Sequence, residues 1–336
     1  VMEIKVAMLG LGNVGRAFFD YVGKRGEMEG IDIKVLGVAD SSGGFLTLDQ
    51  KRIEQAVALK SSGRSIREFA PGETIQNAAD FIKELPRAGI SVLIESLPTN
   101  LADGQPALDL IGDALRRGTD VVTVDKGPMV HGYEALKEAM RHGGSRLAYS
   151  GTTGVSPPDD ISNDRVLEIR GILNGTTNYI LSEMQESSVS FDEALAAAQS
   201  EGIAEPDPSL DIEGWDTASK ILILAKALMG ADSTVSEVSR IGIGRETESL
   251  IAAARERNAR VRLIGRARIW QGRVRVSVAP KMVTADSPFF SINGTLKAAL
   301  FRTEMKGEVL SFARSGRDAI SRVILDDLAK MIDAGE

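Results

Sequence analysis

The segment Glu205-Pro206-Asp207-Pro208-Ser209-Leu210-Asp211-Ile212-Glu213-Gly214-Trp215-Asp216-Thr217-Ala218-Ser219-Lys220 sets several carboxylates and one lysine around the start of a helical pattern. Asp216 and Lys220 stand four apart and so share a helix face, and Asp211 falls where an N-cap would. One reading is plain: a capped helix whose ion pair faces water. The other begins with Trp215 and the apolar run Ile221-Leu222-Ile223-Leu224-Ala225, which mark a buried helix. Buried Lys and Asp are rare unless paired, and a zwitterionic small molecule would give them a task. Acidic groups would hold its α-ammonium, while the lysine would polarise a carbonyl or exchange a proton with a developing alkoxide.

A second lysine, Lys126 in Thr123-Val124-Asp125-Lys126-Gly127-Pro128, follows a strand-like run. If that strand belongs to an open α/β sheet, Lys126 lies at the carboxyl edge, where such sheets bind ligands; otherwise it is a surface lysine in a turn. His131 and His142 have no partner histidine and no HExxH-like spacing, and both read as structural or solvated. Near the N-terminus, Gly10-Leu11-Gly12-Asn13-Val14-Gly15 follows an apolar run at 4–9 and opens a helical pattern at 16–28. Strand, glycine turn and helix together read as a dinucleotide site, since the turn is tight and the backbone must approach a pyrophosphate at a helix N-terminus. A second apolar run at 33–39 ends in Asp40, where a carboxylate would accept from both ribose hydroxyls and repel a 2′-phosphate, favouring NAD over NADP. Alternatively Asp40 caps the following turn, with Ser41-Ser42-Gly43-Gly44 supplying other contacts.

The elements that must position these residues read as an α/β chain. Further strand-like runs at 92–95, 121–124 and 146–149, each preceded by helical spacing, give the alternation of a parallel sheet with crossovers. Residues 1–150 are therefore expected to form a Rossmann dinucleotide-binding domain. After a Gly/Thr/Ser/Pro stretch, a strand at 166–173 leads to helices near 176–186, 191–201 and 212–229, then to β-like runs at 260–269, 273–278 and 309–312. This reads as an α+β domain over 151–315 with a mixed or antiparallel sheet. A last amphipathic helix at 316–333 has no sheet of its own and is expected to pack back on the first domain. The chain has 336 residues, 43% hydrophobic and 26% charged, with a net charge of −7 and no cysteine. No apolar run reaches the roughly 18 residues of a membrane span, and no basic excess marks a nucleic-acid or membrane partner. The expectation is a cytoplasmic protein acting on a small molecule.

The run Gly171-Ile172-Leu173-Asn174-Gly175-Thr176-Thr177-Asn178-Tyr179-Ile180-Leu181 resembles the Asn-Gly-Thr signature of homoserine dehydrogenases, and the acidic segment follows at a fitting distance. The family's Glu, Asp, Asp, Lys series matches Glu205, Asp211, Asp216 and Lys220, and its lysine after the fourth or fifth Rossmann strand matches Lys126. The resemblance implies NAD- or NADP-dependent reduction of aspartate 4-semialdehyde to homoserine and the reverse. It implies that Gly175 and Thr176 line the substrate site, that Glu205 and Asp211 bind the amino-acid end, and that Asp216 orients the reacting oxygen or a water. Lys126 and Lys220 are then the candidates for proton transfer, while Ser96, Leu97 and Gly316 join Gly10, Gly12, Asn13, Val14, Gly15, Asp40 and Lys126 at the cofactor. The family can hold a sodium ion on main-chain carbonyls, which would fall near Thr153 and Val155. Two segments depart from the family: Tyr149-Ser150-Gly151-Thr152-Thr153-Gly154-Val155, and Ser311-Phe312-Ala313-Arg314-Ser315-Gly316.

Aspartate-semialdehyde dehydrogenase, a relative by its Rossmann half, needs a cysteine nucleophile that is missing here. A sugar or inositol dehydrogenase would account for Lys126-Gly127-Pro128 but not for the segment 205–220, and a dinucleotide-binding regulator would not need its lysines. With only 311–336 after Leu310, a short form without the C-terminal ACT domain through which threonine inhibits many family members is expected. The strands at 260–278 would leave a sheet face or edge for another copy, so a two-fold homodimer through the second domain is expected.

Overall fold

A computed structural model describes residues 2–25, 30–69, 72–314 and 317–333, and the chain divides into two units: Val1–Thr152 with Gly316–Glu336, and Thr153–Ser315. In the first unit the strands are β1 (Met2–Leu9), β2 (Ile31–Asp40), β3 (Gly43–Leu46), β4 (Val92–Glu95), β5 (Asp120–Thr123) and β6 (Leu147–Ala148). Between them run α1 (Asn13–Arg25), α2 (Gln50–Ser61), α3 (Ala78–Glu84), α4 (Ala107–Arg116) and α5 (Lys126–Gly143), and one turn, α6 (Ser150–Thr153), closes the series. The sheet order is β3-β2-β1-β4-β5-β6, the order of a Rossmann sheet. Central strands read as continuous apolar runs because helices cover both faces: Val6, Ala7, Met8 and Leu9 are all fully buried.

One connection differs from the predicted crossovers. β3 pairs antiparallel with β2 (Val38↔Phe45, Asp40↔Gly43), so Ser41 and Ser42 turn a hairpin. Gly44 allows it by lying under a ring, since a Cβ there would come within 2.3 Å of Phe81. The C-terminal helix (Arg317–Asp333) adds Ile324, Leu325, Leu328 and Met331 to the core formed by Val6, Met8, Phe18 and Val122. Its Asp327 accepts from the Ser150 amide at 3.0 Å, and Arg146 bridges from Asp120 (2.7 Å) to the Met331 carbonyl. Gly316, expected at the cofactor, lies outside the described residues.

The second unit contains β7 (Val166–Ile172), α7 (Gly175–Glu186), α8 (Phe191–Ser200), α9 (Ser209–Ile212) and α10 (Trp215–Met229). Then follow β8 (Ser239–Arg240), α11 (Thr247–Arg255), β9 (Arg260–Trp270), β10 (Arg273–Val283), β11 (Lys297–Thr303) and β12 (Gly307–Ala313). The sheet order is β12-β11-β7-β9-β10-β8, antiparallel throughout except where β8 joins β10. Helix α10 packs on β7, β9 and β10 with Ala218, Ile221, Leu222, Ile223, Leu224 and Ala225 all buried. Strand β11, absent from the expected elements, is buried at Ala298, Ala299 and Phe301; its short apolar run is neither long nor alternating enough to announce itself.

The helix expected at 212–229 is two helices, because Gly214 adopts a left-handed φ of 82° and breaks the chain between them. Asp211 therefore is no N-cap: it sits inside α9, and Gly214 holds the cap position of α10. Gly214→Ala is expected to cost about 1–2 kcal/mol from the left-handed backbone alone, read by urea denaturation.

Candidate active site

Asn174 ends the chain segment after β7 and caps α7. Its Oδ1 accepts from the Thr177 amide at 2.8 Å and from the Thr177 hydroxyl at 3.0 Å, the usual work of an N-cap side chain. The other half of the amide faces two acids. Asn174 Nδ2 donates to Asp211 Oδ1 at 2.6 Å and to Asp216 Oδ2 at 2.8 Å. Lys220, one turn along α10, donates to the same Asp216 oxygen at 2.6 Å and to the Leu173 carbonyl at 3.0 Å, with the Lys220 and Asp216 side chains only 14% and 13% exposed. The solvated-pair reading fails on that burial. Burial, and then the neighbouring Asp216, raise the Asp211 carboxyl above its ordinary value, although Asn174, Lys220 and Thr176 pull the other way.

Gly175 opens α7, and the Thr176 hydroxyl donates to the Ile203 carbonyl at 3.1 Å. Glu205 is different. It is exposed, its backbone carbonyl accepts from Gln199 at 3.2 Å, and its carboxylate joins neither Asp211 nor Asp216 among the described residues. Trp215 is half-buried rather than buried, and the Arg240 guanidinium covers its ring at 3.6 Å.

In the first unit, the glycine turn is tied to its neighbours: Gly10 donates to the Ala39 carbonyl at 2.8 Å, and Ser96 Oγ donates to the Gly10 carbonyl at 2.9 Å. Gly10 (φ 101°) has no room for a side chain, because a Cβ would come within 2.5 Å of the Ser96 carbonyl; at Gly15 it would come within 2.1 Å of the Gly10 carbonyl. Gly12 has open space, with nothing within 4 Å of a Cβ. Protein packing therefore explains two of the glycines and not the third, which leaves its backbone open to approach. Gly12, Asn13 and Val14 lie at the N-terminus of α1, with Gly12 and Asn13 exposed.

Lys126 starts α5, half-buried, directly after its cap Asp125, whose carboxylate accepts from the Gly127 amide at 2.9 Å. The sequence marks Glu95 only as a strand end and the start of the loop expected at the cofactor, not as part of a buried network. Glu95, at the end of β4 and wholly buried, accepts from the Thr123 hydroxyl at 2.5 Å and from the Leu97 amide at 2.7 Å. Thr123 in turn accepts from the Asp125 amide at 3.0 Å, so one chain of hydrogen bonds runs from the Ser96-Leu97 loop to the start of α5. Burial, and then the nearby Asp125, push the Glu95 carboxyl up to about 8, and burial also raises Asp125. Asp40, also buried, accepts from the Ser42 amide (2.7 Å) and hydroxyl (2.5 Å) and pairs with Lys60 at 2.6 Å. Burial raises its carboxyl, but Lys60 and Ser42 outweigh that and hold it below its ordinary value.

Of the residues expected to offer carbonyls to a cation, Val155 has its oxygen engaged by the Thr153 hydroxyl at 3.0 Å. Among the described residues no cluster of three or more His, Asp or Glu could hold a metal. His131 and His142 are exposed, His131 lying 2.8 Å from the Leu101 carbonyl.

A family model described as "Homoserine dehydrogenase" matches residues 158–328, and one described as "Homoserine dehydrogenase, NAD binding domain" matches residues 10–150. A homoserine dehydrogenase of Methanocaldococcus jannaschii is 34% identical, over 96% of this chain and 97% of its own. The chain belongs to the homoserine dehydrogenase family. The NAD(+)-dependent homoserine dehydrogenase of Pseudomonas canavaninivorans is 33% identical over 97% of this chain and 95% of its own. A solved homoserine dehydrogenase from Thiobacillus denitrificans superposes with a TM-score of 0.78 at 25% identity, covering 98% of this chain and 73% of that one. The protein is thus an NAD(P)-dependent oxidoreductase, and the sugar-dehydrogenase and regulator readings fall away. Asn174, the residue that gathers this homoserine dehydrogenase's acids, was legible only as the first letter of the Asn-Gly-Thr signature.

The raised Glu95 fixes the sign of a pH effect. Its folded value of about 8 exceeds the unfolded value of 4.5, so the protonated form is favoured in the fold, and stability present at low pH is lost as pH rises from 4.5 to 8. Glu95→Gln cannot ionise. Its melting temperature is expected to match that of the wild type near the low end of that window and to exceed it by several degrees above the high end. A constant difference at all pH values would refute the buried protonated acid.

Proposed function

We propose that this homoserine dehydrogenase takes its amino-acid substrate against the Asn174, Asp211, Asp216 and Lys220 group. The observation that carries the reading is the engagement of Lys220: an ammonium has three N–H bonds, and Asp216 and Leu173 account for two of them. The third is free to donate to a substrate oxygen. Asp216 holds the ammonium in place, and orients the reacting oxygen or a water beside it. Asp211 offers a partly desolvated carboxylate to the α-ammonium, with the exposed Glu205 as its second anionic partner and Gly175 and Thr176 lining the site.

Bound NAD(P)H supplies a hydride to the aldehyde carbon. Lys220 then gives its proton to the alkoxide oxygen as charge develops there, and in the oxidative direction it recovers that proton from the hydroxyl. Lys126 is the other candidate for this transfer, supported by its place after the sheet's carboxyl edge. Gly10, Gly12, Asn13, Val14 and Gly15 would surround the pyrophosphate, with Ser96, Leu97 and Gly316 at the nicotinamide end. Asp40 would bind the ribose hydroxyls and favour NAD(H). The Lys60 ammonium beside it offsets its charge, which leaves NADP(H) a weaker but usable cofactor. An archaeal homoserine dehydrogenase of the same fold, solved in complex with NADPH (TM-score 0.75, 24% identity), keeps the second cofactor in view.

The same proposal includes a cytoplasmic location and a homodimer through the second unit, the dimer supported by exposed Trp270, Met305 and Phe312.

Lys220→Ala is expected to lower kcat/KM for aspartate 4-semialdehyde by about 10² to 10⁴, the range of a lost acid–base group. Near-normal turnover in both Lys220→Ala and Lys126→Ala would remove lysine chemistry from the account. Lys60→Ala is expected to raise the Kd of NADPH more than that of NADH, measured by calorimetry. A larger effect on NADH would sink the assignment of Asp40 and Lys60.

A further inference from the structure

The turn Thr153-Gly154-Val155 is where kinship to the family points to a sodium ion on main-chain oxygens, and the residues of this chain do not fit one. Lys297, the first residue of β11, is 8% exposed, and its side chain runs to this turn. A Cβ on Gly154 would lie 2.8 Å from Lys297 Nζ, so the ammonium occupies the space above that peptide. Gly154 has a φ of 67°, a left-handed backbone that favours glycine. The neighbouring oxygens are turned to protein hydroxyls: Thr153 Oγ1 donates to the Val155 carbonyl at 3.0 Å, and Ser311 Oγ donates to the Ser156 carbonyl at 2.8 Å.

Two physical consequences follow. A buried ammonium must be compensated by acceptors, and peptide oxygens are what this turn presents. A metal cation placed about 4 Å from that ammonium would be repelled, and at an effective dielectric constant near 20 its binding weakens roughly 10³-fold.

We propose that Lys297 is the built-in cation of this turn: its ammonium supplies the positive charge, and this homoserine dehydrogenase needs no monovalent metal ion for stability or turnover. The inference does not depend on which lysine transfers the proton, so the two fail separately.

The test compares choline chloride with NaCl and KCl at equal ionic strength, reading melting temperature, sodium-23 relaxation and NADH oxidation by aspartate 4-semialdehyde. The wild-type enzyme is expected to show the same melting temperature and activity in all three salts and no saturable sodium relaxation. Lys297→Met, which keeps all but the terminal atom's length and loses the charge, is expected to melt several degrees lower in choline and to regain stability saturably with Na⁺ or K⁺. Saturable dependence of the wild type on either metal overturns the proposal, and so does a Lys297→Met enzyme that matches the wild type in every salt. If Lys297→Met does not fold, Lys297→Arg keeps the charge and decides: ion-independence supports the proposal and acquired ion-dependence overturns it.

Discussion

Asn174 Nδ2 has two N–H bonds and gives both to carboxylates, one on Asp211 and one on Asp216. Two acids so close would otherwise repel, and burial first, then that repulsion, raise the Asp211 carboxyl above its ordinary value. The second unit is arranged so that one amide can meet both. β7 must end where Asn174 can cap α7, Gly214 must break the chain so that α9 and α10 present their acids from two directions, and α10 must bury its apolar side so that Lys220 returns to Asp216. Charge balance then follows from position, with one ammonium beside two carboxylates.

The first unit solves a different problem with the same economy. Its glycine turn is packed so tightly against the Gly10 and Ser96 backbone that Gly10 and Gly15 are dictated by the fold, whereas no neighbouring protein atom accounts for Gly12. Below the turn, Glu95, Thr123 and Asp125 form a buried chain that fixes the Ser96-Leu97 loop and the residue before Lys126 by one set of hydrogen bonds. A carboxyl kept protonated there can serve as donor or acceptor without adding a buried charge.

How much of this was legible depended on distance along the chain. The glycine turn and the Asp216 and Lys220 pair are local patterns, and each could be read from residues a few positions apart. The bridge from Asn174 could not, because its partners lie 37 and 42 residues away and nothing in an Asn codes for which carboxylates it will meet. Glu95 looked like a strand end, Lys60 like one of several basic residues, and Lys297 like the flank of an unremarked apolar run, until folding set each against its partner. The hairpin of β2 and β3 escaped for the opposite reason: its Ser-Ser-Gly-Gly turn was visible, but the dinucleotide pattern around it suggested a crossover.

The claim that Asn174, its two acids and Lys220 act as one unit is most directly tested by a double-mutant cycle on kcat/KM with Asn174→Ala and Lys220→Ala. A single unit predicts that the second substitution adds little once the first is made, a coupling on the order of 1 kcal/mol or more between residues that share Asp216. Additive losses in the double variant would mean that the lysine and the asparagine serve the reaction independently, and the account would be wrong.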